Sequence, residues 1–343
     1  MVGIPAHTLG ETLLRLPRFL WVLAFCMGLV ACSDGGKPTV PGVVQPGSAP
    51  STKPEEPQTA RKIALVMKTL TNPFFVEMER GARKAEKELS IELVVKTGSQ
   101  ETAIEQQIQI VEDLIRMKVD AIVIAPGDSL RMVPVLKAAQ DAGIKIINID
   151  NRLDPEAMKK HGMSTVPFIS VDNEKAAYES ARFIAQQVKK PAQAAIIEGI
   201  RSADNAQQRK AGAERAFQEN PMIRVVARDS ANWKIDEGYE VTKKIFKSNP
   251  DVELLFCAND MMALGALKFL QEAGKSGVKV AAYDALEEAQ EAVKAGRLAV
   301  TVDQQAAEQG YQGVMLAMRS IRGDPMPEVT LIDTRLVTAE GLK

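Results

Sequence analysis

The stretch "IALVMKTLTNPFFVEM", residues 63–78, is a complete strand-turn-helix unit written in sixteen residues. Its first five residues are all apolar, with no polar alternation, as in a strand buried on both faces of a covered sheet. Asn72 and Pro73 then supply helix-start chemistry, an N-cap followed by proline at the first helical position. Phe74 leads the helical stripe Met78, Ala82, Ala85, Leu89 and so reads as a packing residue. Phe75 lies about 100° round the helix, on the same turn as Lys68 and Asn72, and reads as a platform.

The same unit recurs along the chain. Apolar strand candidates fall at 63–67, 92–96, 121–125, 144–149, 168–171, 194–197, 223–227, 254–257, 278–282 and 299–302. Between most of them lies a helix-length segment with 3.6-residue periodicity, such as Ile104, Ile108, Val111, Leu114 and Ile115. This alternation predicts an α/β protein with a parallel sheet covered on both sides. Ten strands exceed one compact wound sheet, so two doubly wound parallel-sheet lobes are expected.

The N-terminus is of another kind. Arg15 and Arg18 precede residues 19–30, twelve apolar or glycine residues ending in Leu29-Val30-Ala31-Cys32. That run is too short to span a bilayer and fits a secretory h-region. The order basic, apolar, small, cysteine resembles a bacterial lipobox, which predicts a signal peptide over 1–32 and lipidation of Cys32. Residues 33–60 hold 6 Pro, 4 Gly, 3 Ser and 3 Thr, the composition of a disordered tether. Cys257 is then the one thiol of the mature body, and its apolar run Leu254-Leu-Phe-Cys257 makes it a buried structural residue. With 43 basic and 44 acidic residues, the charge balance gives no electrostatic case for a nucleic-acid partner.

In open α/β sheets ligands bind beyond the carboxyl ends of the strands. The polar residues there are Lys68 and Asn72, Asp150 and Asn151, Asn259 and Asp260, Tyr283 and Asp284, and Asp303 and Gln304. Any one of them suits helix capping as readily as ligand contact. The set is distinguished by its company: Phe74, Phe75, Trp233 and Tyr283 stand at turn positions in a chain only 5% aromatic. Catalytic signatures are missing from the sequence. There is no Gly-x-Gly-x-x-Gly and no Gly-x-Ser-x-Gly. Gly274-Lys275-Ser276 lacks the earlier glycine of a Walker motif, since position 269 is Phe. Beyond the signal, His161 is the only histidine and lies in the polar loop His161-Gly-Met-Ser-Thr165, which gives no convincing Ser-His-Asp or Cys-His pairing, and no two His or Cys stand at metal-ligand spacing.

Taken together, the turn sequences resemble the periplasmic sugar-binding proteins of ABC importers, in the type I, ribose-binding-like class. The motifs are "KTLTNPFFVEM", "IINIDNRL", "RKAGAERAF", "CANDMMALGALKFLQEAGK", "VAAYDALEEA" and "AVTVDQQAAEQG", in that order, and the resemblance covers residues 61–343. Lys68, the run Ile196-Ile-Glu-Gly199 and the polar loop 151–167 are shared with the allose-binding branch. The resemblance implies a first lobe of 61–171 plus 305–329 and a second of 172–304 plus 330–343. The hinge between them has three segments, near Val171, Gln304 and Val329. It implies that Lys68, Asn72 and Asp150 hydrogen-bond the sugar from the first lobe, where Phe75 covers one ring face with Phe74 behind it. From the second lobe, Arg209, Asn259, Asp284 and Gln304 would complete the polar ring and Trp233 would cover the other face. Asn151 replaces a charged residue of the family, Phe75 a tryptophan of the allose-binding branch, and Tyr283 a non-aromatic residue. These changes leave the sugar open between an aldohexopyranose such as allose and a ribose-like sugar.

The expected protein is therefore a binder rather than an enzyme. It would be a monomer without cofactor or metal, extracytoplasmic in the periplasm or at the cell surface, anchored to the membrane through Cys32. It would deliver a monosaccharide to an ABC permease by hinge closure. The alternatives are presentation of the sugar to a chemoreceptor or sensor kinase, and an extracytoplasmic sugar-modifying enzyme.

Overall fold

The computed structural model describes residues 60–342; the expected signal peptide, Cys32 and the tether up to residue 59 lie outside the described residues. The chain first runs β1 (Lys62–Met67), α1 (Pro73–Leu89), β2 (Glu92–Thr97), α2 (Ile104–Arg116), β3 (Ala121–Ile124), α3 (Val133–Asp141), β4 (Lys145–Ile149), α4 (Pro155–Lys160) and β5 (Phe168–Ser170). It continues through α5 (Asn173–Ala185), β6 (Ala192–Glu198), α6 (Asp204–Gln218), β7 (Ile223–Ser230), α7 (Ile235–Ser248), β8 (Val252–Cys257), α8 (Asp260–Glu272), β9 (Lys279–Ala281), α9 (Glu287–Lys294) and β10 (Val300–Asp303). The last elements are α10 (Ala306–Arg322), β11 (Val329–Leu331) and β12 (Arg335–Thr338).

Two six-stranded sheets result, ordered β11-β5-β4-β3-β1-β2 and β12-β10-β9-β8-β6-β7. The consecutive strands of each lobe thus follow the doubly wound order 2-1-3-4-5, with switch points beside β1 and β6. The all-apolar strands explain the layering. In β1, Ile63, Leu65 and Met67 face one core while Ala64 and Val66 face another. Helices α1 and α10 cover the first face with Met78, Ala82 and Val314. Helices α2 and α3 cover the second with Val111, Leu114 and Leu136. Cys257 is fully buried in the second lobe.

All ten expected strands form, within a few residues of the expected bounds. Two were not expected: β11 pairs in parallel with β5, and β12 pairs antiparallel with β10, so the second sheet is mixed at that edge. They also correct the third lobe boundary. The crossing expected near Val329, with 330–343 in the second lobe, comes later. Val329–Leu331 still belong to the first sheet, and the Ile332 N–H bonds to the Ser170 carbonyl at 2.8 Å. The chain reaches the second sheet only at β12. The other crossings lie between β5 and α5, which packs on α6, and between β10 and α10, which packs on α1.

Candidate binding site

The carboxyl ends of both sheets face a common cleft that narrows to a cavity of about 20 Å³. That is room for little more than one water, with the two lobes drawn closely together around it. Ten of the twelve residues predicted from sequence line it: Lys68, Asn72, Phe74, Phe75 and Asp150 from the first lobe, and Arg209, Trp233, Asn259, Asp284 and Gln304 from the second. Two more, Glu101 and Asn205, complete the wall.

Each side chain is held by the strand end or helix start that carries it. Asn72 caps α1 by accepting from the Phe74 N–H at 3.1 Å, and its Nδ2 donates to Glu101 Oε1 at 2.9 Å. Capping and cavity lining, alternatives in the sequence, are thus combined in one residue. Asn259 does the same for α8, accepting from the Met262 N–H at 2.9 Å. Asp150 sits at φ +61°, Trp233 at +68° and Asp284 at +123°, left-handed conformations that cost energy for non-glycine residues and concentrate at functional sites.

The charged groups form two buried pairs, one from each lobe. Lys68 Nζ lies 2.8 Å from Asp150 Oδ2, and Arg209 Nη1 lies 3.5 Å from Asp284 Oδ1. Arg209 is fixed by three further bonds: Nε to Asn173 Oδ1 at 2.8 Å, Nη1 to the Ala258 carbonyl at 2.9 Å and Nη2 to Gln304 Oε1 at 3.2 Å. Gln304 Nε2 in turn donates to Asp284 Oδ1 at 2.6 Å. Burial lifts the Asp284 carboxyl to about 7, against the pull of the Arg209 guanidinium and the Gln304 hydrogen bond. Burial likewise raises Glu101, with Lys68 and the Asn72 amide pulling the other way.

Aromatic faces flank this polar set. Lys68 Nζ is 5.5 Å from the Phe75 centroid in its own lobe and 5.9 Å from Trp233 in the other. Phe74 stands edge-on to Phe75 at 5.1 Å, so the predicted division of labour is blurred: both are buried and both line the cavity. Trp233 rests on Gly199, where a Cβ would stand 2.1 Å from the indole ring. The indole Nε1 and the Asn205 Oδ1 are buried without a hydrogen-bond partner among the described residues. Such a donor and acceptor in a cavity wall call for a partner from a ligand or solvent.

Two predicted residues stand elsewhere. Tyr283 is fully buried beneath Arg209, whose guanidinium carbon lies 3.8 Å from the ring centroid; it supports the arginine and does not reach the cavity. Asn151 turns away from the cavity, donating to the Pro126 carbonyl at 3.0 Å and accepting from the Asn205 N–H at 3.2 Å. Conversely, Glu101 follows β2 and could have been found by reading that strand end as the others were read. Asn205 opens α6 four residues before Arg209, and its single signal was that position. Among the described residues no group of three or more His, Cys, Asp or Glu is placed to hold a metal ion.

The site is thus a wall of hydrogen-bonding groups between two aromatic faces, drawn equally from two α/β lobes. A family model described as a periplasmic binding protein domain matches residues 63–325. The chain belongs to the periplasmic binding protein family. It is 42% identical to a D-ribose/D-allose-binding protein of Pseudomonas aeruginosa over 79% of this chain and 84% of that protein. It is 32% identical to the D-allose-binding periplasmic protein of Escherichia coli over 81% and 92% of the two chains. A crystal structure of an ABC transporter periplasmic solute-binding protein from Actinobacillus succinogenes, with D-allose bound, superposes with a TM-score of 0.77. That protein is 38% identical, with 82% of this chain and 98% of that one covered. These relatives are binding proteins, not enzymes, and the binding protein described here shares their type I fold of two parallel-sheet lobes.

Proposed function

We propose that this binding protein captures a monosaccharide, an aldohexopyranose such as D-allose or a ribose-like sugar, and delivers it to an ABC import permease. The observation that carries the proposal is the cavity. A sugar ring offers C–H groups above and below and hydroxyls around its rim. Phe75 and Trp233 suit the faces, while Lys68, Asp150, Arg209, Asn259, Asp284 and Gln304 suit the rim. The ligands named for the relatives, ribose and allose, support the same chemistry. Leu70 in the β1–α1 turn, Val76 in the first turn of α1 and Ile235 at the start of α7 are exposed apolar residues of the two lobes, a suitable surface for a permease that reads closure. The lipobox-like segment ending at Cys32 supports membrane anchoring of an extracytoplasmic protein.

Calorimetric titration with D-allose, D-ribose and other monosaccharides tests the binding. At least one sugar should bind, and Asp150→Ala or Arg209→Ala should weaken it by at least about thirtyfold, since each leaves a buried charge unpaired. The far-UV circular dichroism of the variants should keep its α/β shape. No heat with any sugar, or unchanged affinity in both variants, sinks the reading. For the anchor, Cys32→Ala should abolish palmitate incorporation and move the protein from the membrane to the soluble fraction; retention in the membrane would refute lipidation at Cys32.

A further inference from the structure

Helix α6 starts without a cap of its own. The residue before its first turn, Ala203, has the extended geometry of an N-cap (φ −95°, ψ 127°) but no side-chain acceptor. Helices α1, α4, α5 and α8 each begin on an Asn or Asp whose side chain accepts from the first turn, whereas α2, α3, α7, α9 and α10, like α6, do not. The first amides of α6 are taken instead by the opposite lobe. The Asp204 N–H donates to Ser129 Oγ at 3.0 Å and the Asn205 N–H to Asn151 Oδ1 at 3.2 Å. The Ser129 hydroxyl also faces Asn151 Oδ1 at 3.4 Å.

Both acceptors are braced within the first lobe. Asn151 Nδ2 donates to the Pro126 carbonyl, and the Ser129 carbonyl accepts from the Asp154 N–H at 2.9 Å. The Ser129 N–H makes one more link across the cleft, to the Ser202 carbonyl at 3.2 Å. Ser129 is 5% exposed and Asn151 fully buried, yet neither lines the cavity.

We propose that Ser129 and Asn151 are positioning residues that cap α6 in trans, forming a latch that exists only when the cleft is shut. Helix amides without an intrahelical partner must be satisfied by a side chain, water or a ligand. With the lobes apart, Ala203 leaves the start of α6 to water; with them together, two side chains in a dry interface replace it. The latch therefore favours closure irrespective of which sugar lies inside. Apparent affinity scales with the population of the closed, binding-competent form, so Ser129 and Asn151 tune affinity without reading the ligand. The effect on affinity rests on sugar capture by lobe closure; the bonds between α6 and the first lobe do not.

The test combines small-angle scattering of the sugar-free protein with titrations of D-allose and D-ribose. Ser129→Ala and Asn151→Ala should each shift the sugar-free protein toward the open form. Each should weaken both sugars by the same factor, roughly three- to tenfold, the range of one lost N-cap. Ala203→Ser gives α6 a local cap that works in the open form as well. It should raise the melting temperature of the sugar-free protein while lowering sugar affinity, opposite signs that a merely structural role would not produce. Unchanged scattering with unchanged affinities in all three variants overturns the proposal, as does a changed allose-to-ribose ratio, which would mean that these residues shape the cavity wall through Asn205 or Asp150. If the unaltered protein binds neither sugar, the functional reading fails separately, and identical scattering of the three variants and the parent still refutes the latch.

Discussion

Asp284 shows how the site divides its charge. Three carboxylates line the cavity, Glu101, Asp150 and Asp284, against two cations, Lys68 and Arg209. Asp284 is raised from its ordinary 3.8 to about 7, chiefly by burial. Asp260 behind it is raised as well, by burial and by the neighbouring Asp284 charge. A raised carboxyl binds its proton more tightly in the native state than in the unfolded chain, so its contribution to stability is greatest at acid pH and falls as pH rises. The sugar-free protein is therefore expected to lose stability between about pH 4 and pH 7, measured as the denaturant midpoint. Asp284→Asn should flatten part of that decline, leaving the share of Glu101 and Asp260; an equally steep decline would show that Asp284 does not titrate in this window. At this scale the sequence was informative where backbone position decides. Reading strand ends located Lys68, Asn72, Asp150, Asn259, Asp284 and Gln304. It could not tell that Asn151 and Tyr283 turn away, because side-chain direction at a turn depends on φ, and Asp150 next to Asn151 sits at +61°.

At the scale of elements, the ten long apolar runs were legible because a strand buried on both faces needs an unbroken apolar sequence. Strands β11 and β12 gave no such signal. They are no shorter than β5 and β9, but they are largely exposed rather than buried, and they exist because β5 and β10 offer edges. Helix positions were legible from periodicity, but how closely the helices approach was not. The close crossing of α5 and α6 depends on Gly212, where a Cβ would lie 2.1 Å from the Glu174 carbonyl oxygen. That oxygen is backbone and cannot move aside alone. Gly212→Ala should force α6 off α5 at a cost of about 1–3 kcal/mol, in the range of overpacked cores. Because α6 carries Asn205 and Arg209 into the cavity, the same variant should also weaken sugar binding. A variant with native stability and native affinity would show that the helices can separate without disturbing the site.

For the whole molecule, the decisive feature is that neither lobe owns the site. Phe75 belongs to α1 and Trp233 to the turn before α7, and the two rings approach one another only across the cleft. Two lobes were legible in the sequence from the number of strands, but their closed arrangement was not, since it depends on contacts such as Asn205 to Asp150 that no local pattern encodes. If closure is all-or-none, the two aromatic walls act as a unit, because a sugar gripped by one lobe alone gains little. Phe75→Leu and Trp233→Leu should then each weaken sugar binding by at least about thirtyfold, the size of a lost aromatic anchor. The double variant should be far less than the product of the two losses, since the first substitution already forfeits most of what closure provides. Titration calorimetry on the three variants and the parent completes the cycle. Additive losses in free energy would instead mean that each lobe holds its face of the sugar independently, and that closure is a consequence of binding to which the ring sandwich contributes no coupling.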